Sequence, residues 1–288
     1  MDTDLITTIE NILTKKKIIL TKLLSSAFNI NCLKIVTADN EKFVVKYYEK
    51  KNHGFNAIQS ETKNLLFFNK KKINLFPKVV GYNEKFLIIK YFENNKIKPN
   101  KFDSQFINNL TQLHSNSSEK FGFYFDTQIG GMCQPNDFDQ NWAVFFAEKR
   151  LNVIFETICE TNPLPKKINQ NLENLIHSLA EKIPSNPKPA LLHGDLWEGN
   201  ILFNDGKFVG LIDPGSFYGH NEMEIAYLRW FNLIDEDFFN KYSEIISIDK
   251  MYFSYEPIYQ LYYSLLNVHL WDRRYIQDVE NLLKKIVI

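Results

Sequence analysis

His193-Gly194-Asp195-Leu196-Trp197-Glu198-Gly199-Asn200, followed by Leu211-Ile212-Asp213-Pro214, is the stretch from which the rest of the chain can be read. Asp195 and Asn200 stand five residues apart, and Asp213 follows Asn200 by thirteen. A carboxylate and an amide at that spacing suit a loop that receives a hydroxyl proton at one end and holds a hard divalent cation at the other. His-Gly-Asp alone is an ordinary turn; the Asn at the fifth position and the distant Asp give it chemical meaning. Between them, Ile201-Leu202-Phe203 and Lys207 to Ile212 are apolar runs flanking Asn204-Asp205-Gly206, which predicts a hairpin. If Phe203 faces Lys207, Asn200 falls opposite Gly210 and Asp213 overshoots by three residues, about 10 Å at a strand's rise. Asn200 and Asp213 can then share a metal, with Asp195 left free. Mg²⁺ takes carboxylate, carbonyl, phosphate and water oxygens, and one amide, one carboxylate and the phosphates of ATP supply them. His193 reads as a brace for the loop, and Trp197 as a packing residue rather than a ligand contact.

Lys+Arg and Asp+Glu are equal at 34 each in 288 residues, a balance that recruits neither nucleic acid nor an anionic membrane. The three cysteines, Cys32, Cys133 and Cys159, have neither metal-site nor disulfide-framework spacing, as expected for a reducing, cytoplasmic setting. The acidic start Met1-Asp2-Thr3-Asp4 is unlike a signal peptide, and no apolar run is long enough to span a bilayer. The sequence is silent on oligomeric state.

With 288 residues and 44% hydrophobic content, the chain can bury a sizeable core and is long enough for two lobes or one large domain. After an amphipathic helix near 5–16, β-rich runs over Cys32–Thr37 and Lys42–Tyr47 flank the turn Ala38-Asp39-Asn40. Lys46 ends the second run, where an ATP-binding lobe keeps the Lys that meets the α/β-phosphates; Glu61, on a helix expected over Phe55–Asn69, is the carboxylate to hold it. Strands over Pro77–Gly81 and Phe86–Tyr91 lead into Glu93-Asn94-Asn95-Lys96, so a hinge is expected at Lys90, Tyr91 and Phe92, whose backbone would meet adenine. Helices are expected near 103–115, 138–160, 168–182, 222–232 and 251–283. The expectation is an α+β, bilobal, protein-kinase-like fold: a small β-rich N-lobe over 1–92 for ATP and a larger, mainly helical C-lobe over 93–288 for the catalytic loop, metal and substrate.

The chain resembles the fructosamine/ketosamine kinase family, relatives of the aminoglycoside and choline kinases. The residues that carry the resemblance are His193 to Asn200 with its Leu196-Trp197 pair, Asp213-Pro214-x-Ser216-Phe217-Tyr218-Gly219-His220-x-Glu222-x-Glu224, Phe121-Gly122-Phe123, Gln134-x-Asn136 and Trp142-x-x-Phe145-Phe146. The resemblance implies ATP- and Mg²⁺-dependent phosphorylation of a sugar hydroxyl in a ketosamine, free or protein-bound, on the third carbon in the best-known members. Deglycation is the implied use. In that frame Asp195 receives the proton, and Lys46 with a metal on Asn200 and Asp213 neutralises charge. His220, Glu222 and Glu224 either touch substrate or brace a helix start. The chain departs from the family at Ser25-Ser26-Ala27-Phe28-Asn29-Ile30-Asn31, which fills the place of the Gly-rich phosphate loop without a glycine, and at Lys90, where an acidic residue is usual. Alternative readings are another aminoglycoside- or choline-kinase-like enzyme, or a non-catalytic nucleotide-binding module, suggested by the glycine-free loop.

Overall fold

The computed structural model describes residues 3–99, 102 and 104–286. The chain divides into two compact units: Met1–Pro99 with Thr127–Cys133 and Gly199–Gly215, and Asn100–Asp126 with Gln134–Glu198 and Ser216–Ile288.

The first unit begins with helix α1 (Thr3–Ile12) and continues through β1 (Ile18–Ala27), β2 (Ile30–Thr37), β3 (Lys42–Tyr48), α2 (Ala57–Lys71), β4 (Val79–Tyr82) and β5 (Phe86–Lys90). Its strands form an antiparallel sheet in the order β1-β2-β3-β5-β4. Ile9 and Leu13 from α1 and the turn after it pack with Ile35, Phe43, Val45, Phe86 and Ile88 on one face. Side chains alternate along a strand, so Val44 and Lys46 point to the opposite face. Helix α2 starts where Asn56 Oδ1 accepts the Gln59 N–H at 2.9 Å, and stops where Lys72 turns left-handed at φ 56°. Two later segments join this unit: the hairpin β6 (Thr127–Ile129) and β7 (Met132–Gln134), turned by Gly130-Gly131, and the hairpin β9 (Ile201–Asn204) and β10 (Lys207–Leu211). The linker tethers the second hairpin. Lys96 N donates to Phe203 O (3.2 Å), Gly206 N to Ile97 O (3.0 Å), and Asn95 Nδ2 to Asp205 Oδ1 (2.7 Å).

The second unit is mainly helical: α3 (Ser104–His114), α4 (Trp142–Phe146), a π-turn over Ala147–Leu151, α5 (Asn152–Thr161), α6 (Lys166–His177), α7 (Asn221–Trp230), α8 (Glu236–Ile245), α9 (Tyr252–Leu270) and α10 (Ile276–Lys285), with the short pair β8 (Ala190–Leu191) and β11 (Tyr218–Gly219). Fully buried Trp142 is the centre of an aromatic core with Phe121, Phe146 and Tyr259. No helix among the described residues is long and apolar enough to cross a membrane.

Several expectations change. The first helix ends at Ile12 rather than 16, and β1, β6, β7 and α8 were not foreseen. The helix expected from 103 begins at Ser104, residue 103 lying outside the described residues. The helix expected over 251–283 is two, because Trp271 N and Asp272 N both donate to Asn267 O, closing α9, and the Asp272 side chain then caps a new turn at Arg274 N (2.8 Å). In the β9–β10 hairpin the two-residue turn is Asp205-Gly206, both at positive φ (50° and 75°), so Asn204 rather than Phe203 faces Lys207. Val209 then bulges, and Ile212 N donates to Asn200 O at 3.1 Å. Asn200 is therefore opposite Ile212 instead of Gly210, and Asp213 is the next residue on. The three-residue overshoot is gone.

Candidate active site

Lys46 is buried, with its Nζ 2.7 and 2.8 Å from the carboxylate oxygens of Glu61 and 2.5 Å from Asp213 Oδ1. Three elements bring this about: the alternation of β3, the one-face presentation of Glu61 by capped α2, and the bulged β9–β10 hairpin. Burial disfavours the Lys46 charge, but Asp213 and Glu61 outweigh it and hold the ammonium well above its ordinary range. Two carboxylates share one cation. Burial, with the like charge of Asp213, accordingly pushes Glu61 up to about 7 against the attraction of Lys46. Asp213 adopts φ 57°, a left-handed conformation that costs a non-glycine residue free energy and often marks a functional position.

Asn200 is buried beside Ile212, one residue across the ladder from Asp213. An amide and a carboxylate at neighbouring positions fit a hard cation completed by phosphate oxygens and water. The described residues contain no group of three His, Cys, Asp or Glu side chains that could hold a metal ion.

At the expected hinge, Lys90 Nζ pairs with Glu41 Oε1 at 2.8 Å and lies 4.4 Å from the centroid of Phe43. Lys90 N donates to Lys78 O (2.9 Å) and Tyr91 N to Lys42 O (3.2 Å), while Lys34 Nζ sits 3.9 Å over the Tyr91 ring. Phe92 packs edge-on against Gly210: a β-carbon there would lie 2.6 Å from its ring and 3.0 Å from Leu75 O. Between β1 and β2, Phe28 (φ 51°) and Asn29 (φ 62°) make a two-residue turn, not an open loop. Asn29 anchors it, donating to Lys50 O (3.0 Å) and accepting from Lys50 N (2.8 Å).

In the second unit the loop carrying Asp195 is organised by one buried carboxylate. Glu224, in the first turn of α7, accepts the His193 N–H at 3.1 Å through Oε2 and the Gly194 N–H at 2.8 Å through Oε1. Its Oε2 also lies 2.9 Å from His114 Nε2, and His114 Nδ1 is 2.7 Å from Tyr242 Oη. Burial would raise the Glu224 pKa, but the hydrogen-bonded His114 ring and the Gly194 N–H outweigh it and hold it below the usual carboxylate range. Gly194 (φ 88°) makes the turn, Asp195 N donates to His193 Nδ1 at 3.2 Å, and Ser216 Oγ donates to His193 O at 3.1 Å. Asp195 itself is half-buried.

His220 and Glu222 are buried and committed inward. His220 Nδ1 is 2.8 Å from Tyr259 Oη, while Glu222 accepts from Tyr255 Oη at 2.5 Å and Asp249 N at 2.6 Å. Trp197 is half-buried with its ring 6.5 Å from that of exposed Trp271, so it is a surface aromatic and not a core anchor. Sequence reasoning left Glu224 open and missed His114 and Tyr242. The one local signal was a carboxylate in the first turn of α7; nothing near His114 announces its partner 110 residues away.

The family model for fructosamine kinase matches residues 1–288, the whole chain. The chain belongs to the fructosamine kinase family. A Vibrio cholerae protein named "Probable ketoamine kinase" is 28% identical over 260 residues, spanning 86% of this chain and 89% of the relative. The crystal structure of a candidate fructosamine-3-kinase from Haemophilus somnus superposes with a TM-score of 0.85 at 25% identity, covering 99% of this chain and 97% of that one. The choline kinase LicA from Streptococcus pneumoniae gives a TM-score of 0.66 at 15% identity over 98% and 99% of the two chains, a likeness of fold alone. The fold is thus the α+β, bilobal, protein-kinase-like one, and this fructosamine kinase family member is an ATP-dependent phosphotransferase.

Proposed function

We propose that the enzyme transfers the γ-phosphoryl group of ATP to a sugar hydroxyl of a ketosamine, the rearranged adduct of a reducing sugar with an amine, and so serves deglycation in the cytoplasm. The observation that carries the nucleotide half is buried Lys46 held between Glu61 and Asp213; family membership carries the acceptor. Residues 1–92 are assigned the nucleotide, with adenine against the backbone of Lys90, Tyr91 and Phe92, and residues 93–288 the catalytic loop, the metal and the acceptor.

Phosphoryl transfer asks a protein mainly for positioning and charge neutralisation. Lys46, fixed by Glu61, meets phosphate oxygens as their charge grows. Asp195, on a loop fixed through Glu224 and Ser216, orients the acceptor hydroxyl and takes its proton, a role worth roughly 10²- to 10⁴-fold. Asn200 and Asp213, together with the nucleotide, would hold Mg²⁺, which would supply further neutralisation of phosphate charge. His193, His220 and Glu222 support the loop and the start of α7, and Trp197 offers an aromatic face on the acceptor side.

An acceptor panel tests the reading. Fructosyl, ribulosyl and erythrulosyl amines, glycated lysine peptide, an aminoglycoside and choline are each incubated with Mg-ATP, and products are resolved by mass spectrometry. Phosphorylated ketosamines with unchanged aminoglycoside and choline support it; the reverse transfers the assignment to another acceptor class. ATP binding without any product favours a binding-only role.

A further inference from the structure

From the register of the first sheet we infer that Ser25 is a nucleotide-positioning residue: its hydroxyl donates to phosphate oxygens in place of the backbone N–H groups of a glycine loop. This rests on the nucleotide half of the proposed function and goes beyond it. Ser25 pairs with Cys32 across β1–β2, and Cys32 pairs with Lys46 across β2–β3. Directly opposed residues share a face, so Ser25, Cys32 and Lys46 form one row over three strands, spanning roughly 10 Å at two strand spacings. Ser25 is exposed, whereas burial raises the pKa of its cross-strand neighbour Cys32 to about 11.

A bulge sets this orientation. Leu23 pairs with Leu33, which pairs with Val45 of the α1 cluster, and the register then slips at Leu24 before Ser25 meets Cys32. One extra residue reverses the facing of all that follow, so Ser25 turns to the Lys46 face and Ser26, paired with Asn31, to the other. Row continuity places Asn31 opposite Tyr47, which packs on the α1 cluster. The two adjacent serines therefore differ in facing by the register alone. The turn itself is a poor substitute for a glycine loop. Phe28 and Asn29 close it in two residues, Asn29 is tied to Lys50, and Gly131 is so near Phe28 that a β-carbon on it would lie 3.2 Å from Phe28 Cβ. A side-chain donor on the strand flank is what the face offers to a phosphate.

The test compares Ser25→Ala, Ser25→Thr and Ser26→Ala, each checked for native circular dichroism, by titrating ATP, ADP and adenosine and by measuring KM for ATP. Losing one donor to a charged oxygen corresponds to a weakening of roughly 10- to 100-fold. Ser25→Ala is expected to weaken ATP and ADP by that factor while leaving adenosine unchanged, Ser25→Thr to stay near wild type, and Ser26→Ala to match it. Equal ATP affinity in Ser25→Ala and wild type overturns the inference, as does equal loss for adenosine, or Ser25→Thr falling with Ser25→Ala. The binding arm needs no acceptor, so failure of the ketosamine assignment leaves it readable.

Discussion

Replacing Glu224 by Gln tests how the loop carrying Asp195 is held. The carboxylate accepts three hydrogen bonds, one through Oε1 from Gly194 N and two on Oε2, from His193 N and with His114 Nε2. An amide retains one acceptor oxygen, and its favoured rotamer keeps that oxygen where two bonds converge, leaving its NH₂ group against the Gly194 N–H. One buried donor is then unmet, and the negative charge facing His114 is gone. A buried donor without a partner costs about 1–3 kcal/mol, which for a chain of this size lowers the melting temperature by roughly 2–5 °C. Gly194 immediately precedes Asp195, so the loop also loses its fixed position, and a shift of about 1 Å in a reacting group can cost on the order of 10²-fold in rate. The expected outcome is a calorimetric melting temperature lowered within that range, kcat down by at least roughly tenfold, and nearly unchanged ATP affinity, because Lys46, Glu61 and Asp213 are untouched. A Glu224→Gln enzyme with wild-type kcat and melting temperature would refute the brace.

Lys46→Met removes the cation shared by Glu61 and Asp213; turnover is expected to fall by at least roughly 10²-fold, with acceptor KM little changed in steady-state assays. Gly210→Ala drives a methyl against the Phe92 ring and Leu75 O, and chemical denaturation should report about 1–3 kcal/mol of lost stability. Glu224 has a depressed native pKa, so its stabilisation is complete above the ordinary value of 4.5 and is lost as pH falls through the native value; melting temperature against pH should fall below 4.5, more shallowly in Glu224→Gln. Asn200→Ala removes an oxygen donor beside Asp213, and activity should then require a higher Mg²⁺ concentration, seen in a magnesium titration at fixed ATP.

The chemistry proposed for the loop could be drawn from the sequence because its parts are local: Asp195, Asn200 and Asp213 are related by short spacings and one hairpin. The register of that hairpin could not, since a bulge at Val209 depends on how Leu211 is drawn to Leu75 O rather than on the turn residues. Strand β1 escaped notice because Ile18 to Leu24 lacks alternation; it is an edge strand exposed on both faces and bulged twice, so no buried face imposes a period. The Gly130-Gly131 turn was readable but joins strands of only three residues. Lys46 and Glu61 could be proposed as partners from their elements alone, whereas Glu224, His114 and Tyr242 meet from three helices far apart in sequence. Burial decided which of the polar residues after Asp213 support the fold: His220 and Glu222 spend their hydrogen bonds on Tyr259, Tyr255 and Asp249.

The most direct test of the account is the single-turnover rate of phosphoryl transfer from Mg-ATP to a ribulosyl or fructosyl amine, measured for wild type and Asp195→Asn with ATP binding followed in parallel. The account predicts phosphorylated ketosamine from the wild type and a rate roughly 10²- to 10⁴-fold lower in Asp195→Asn at equal ATP affinity. A variant that transfers at the wild-type rate, or a wild type that binds ATP yet phosphorylates no ketosamine, would contradict it.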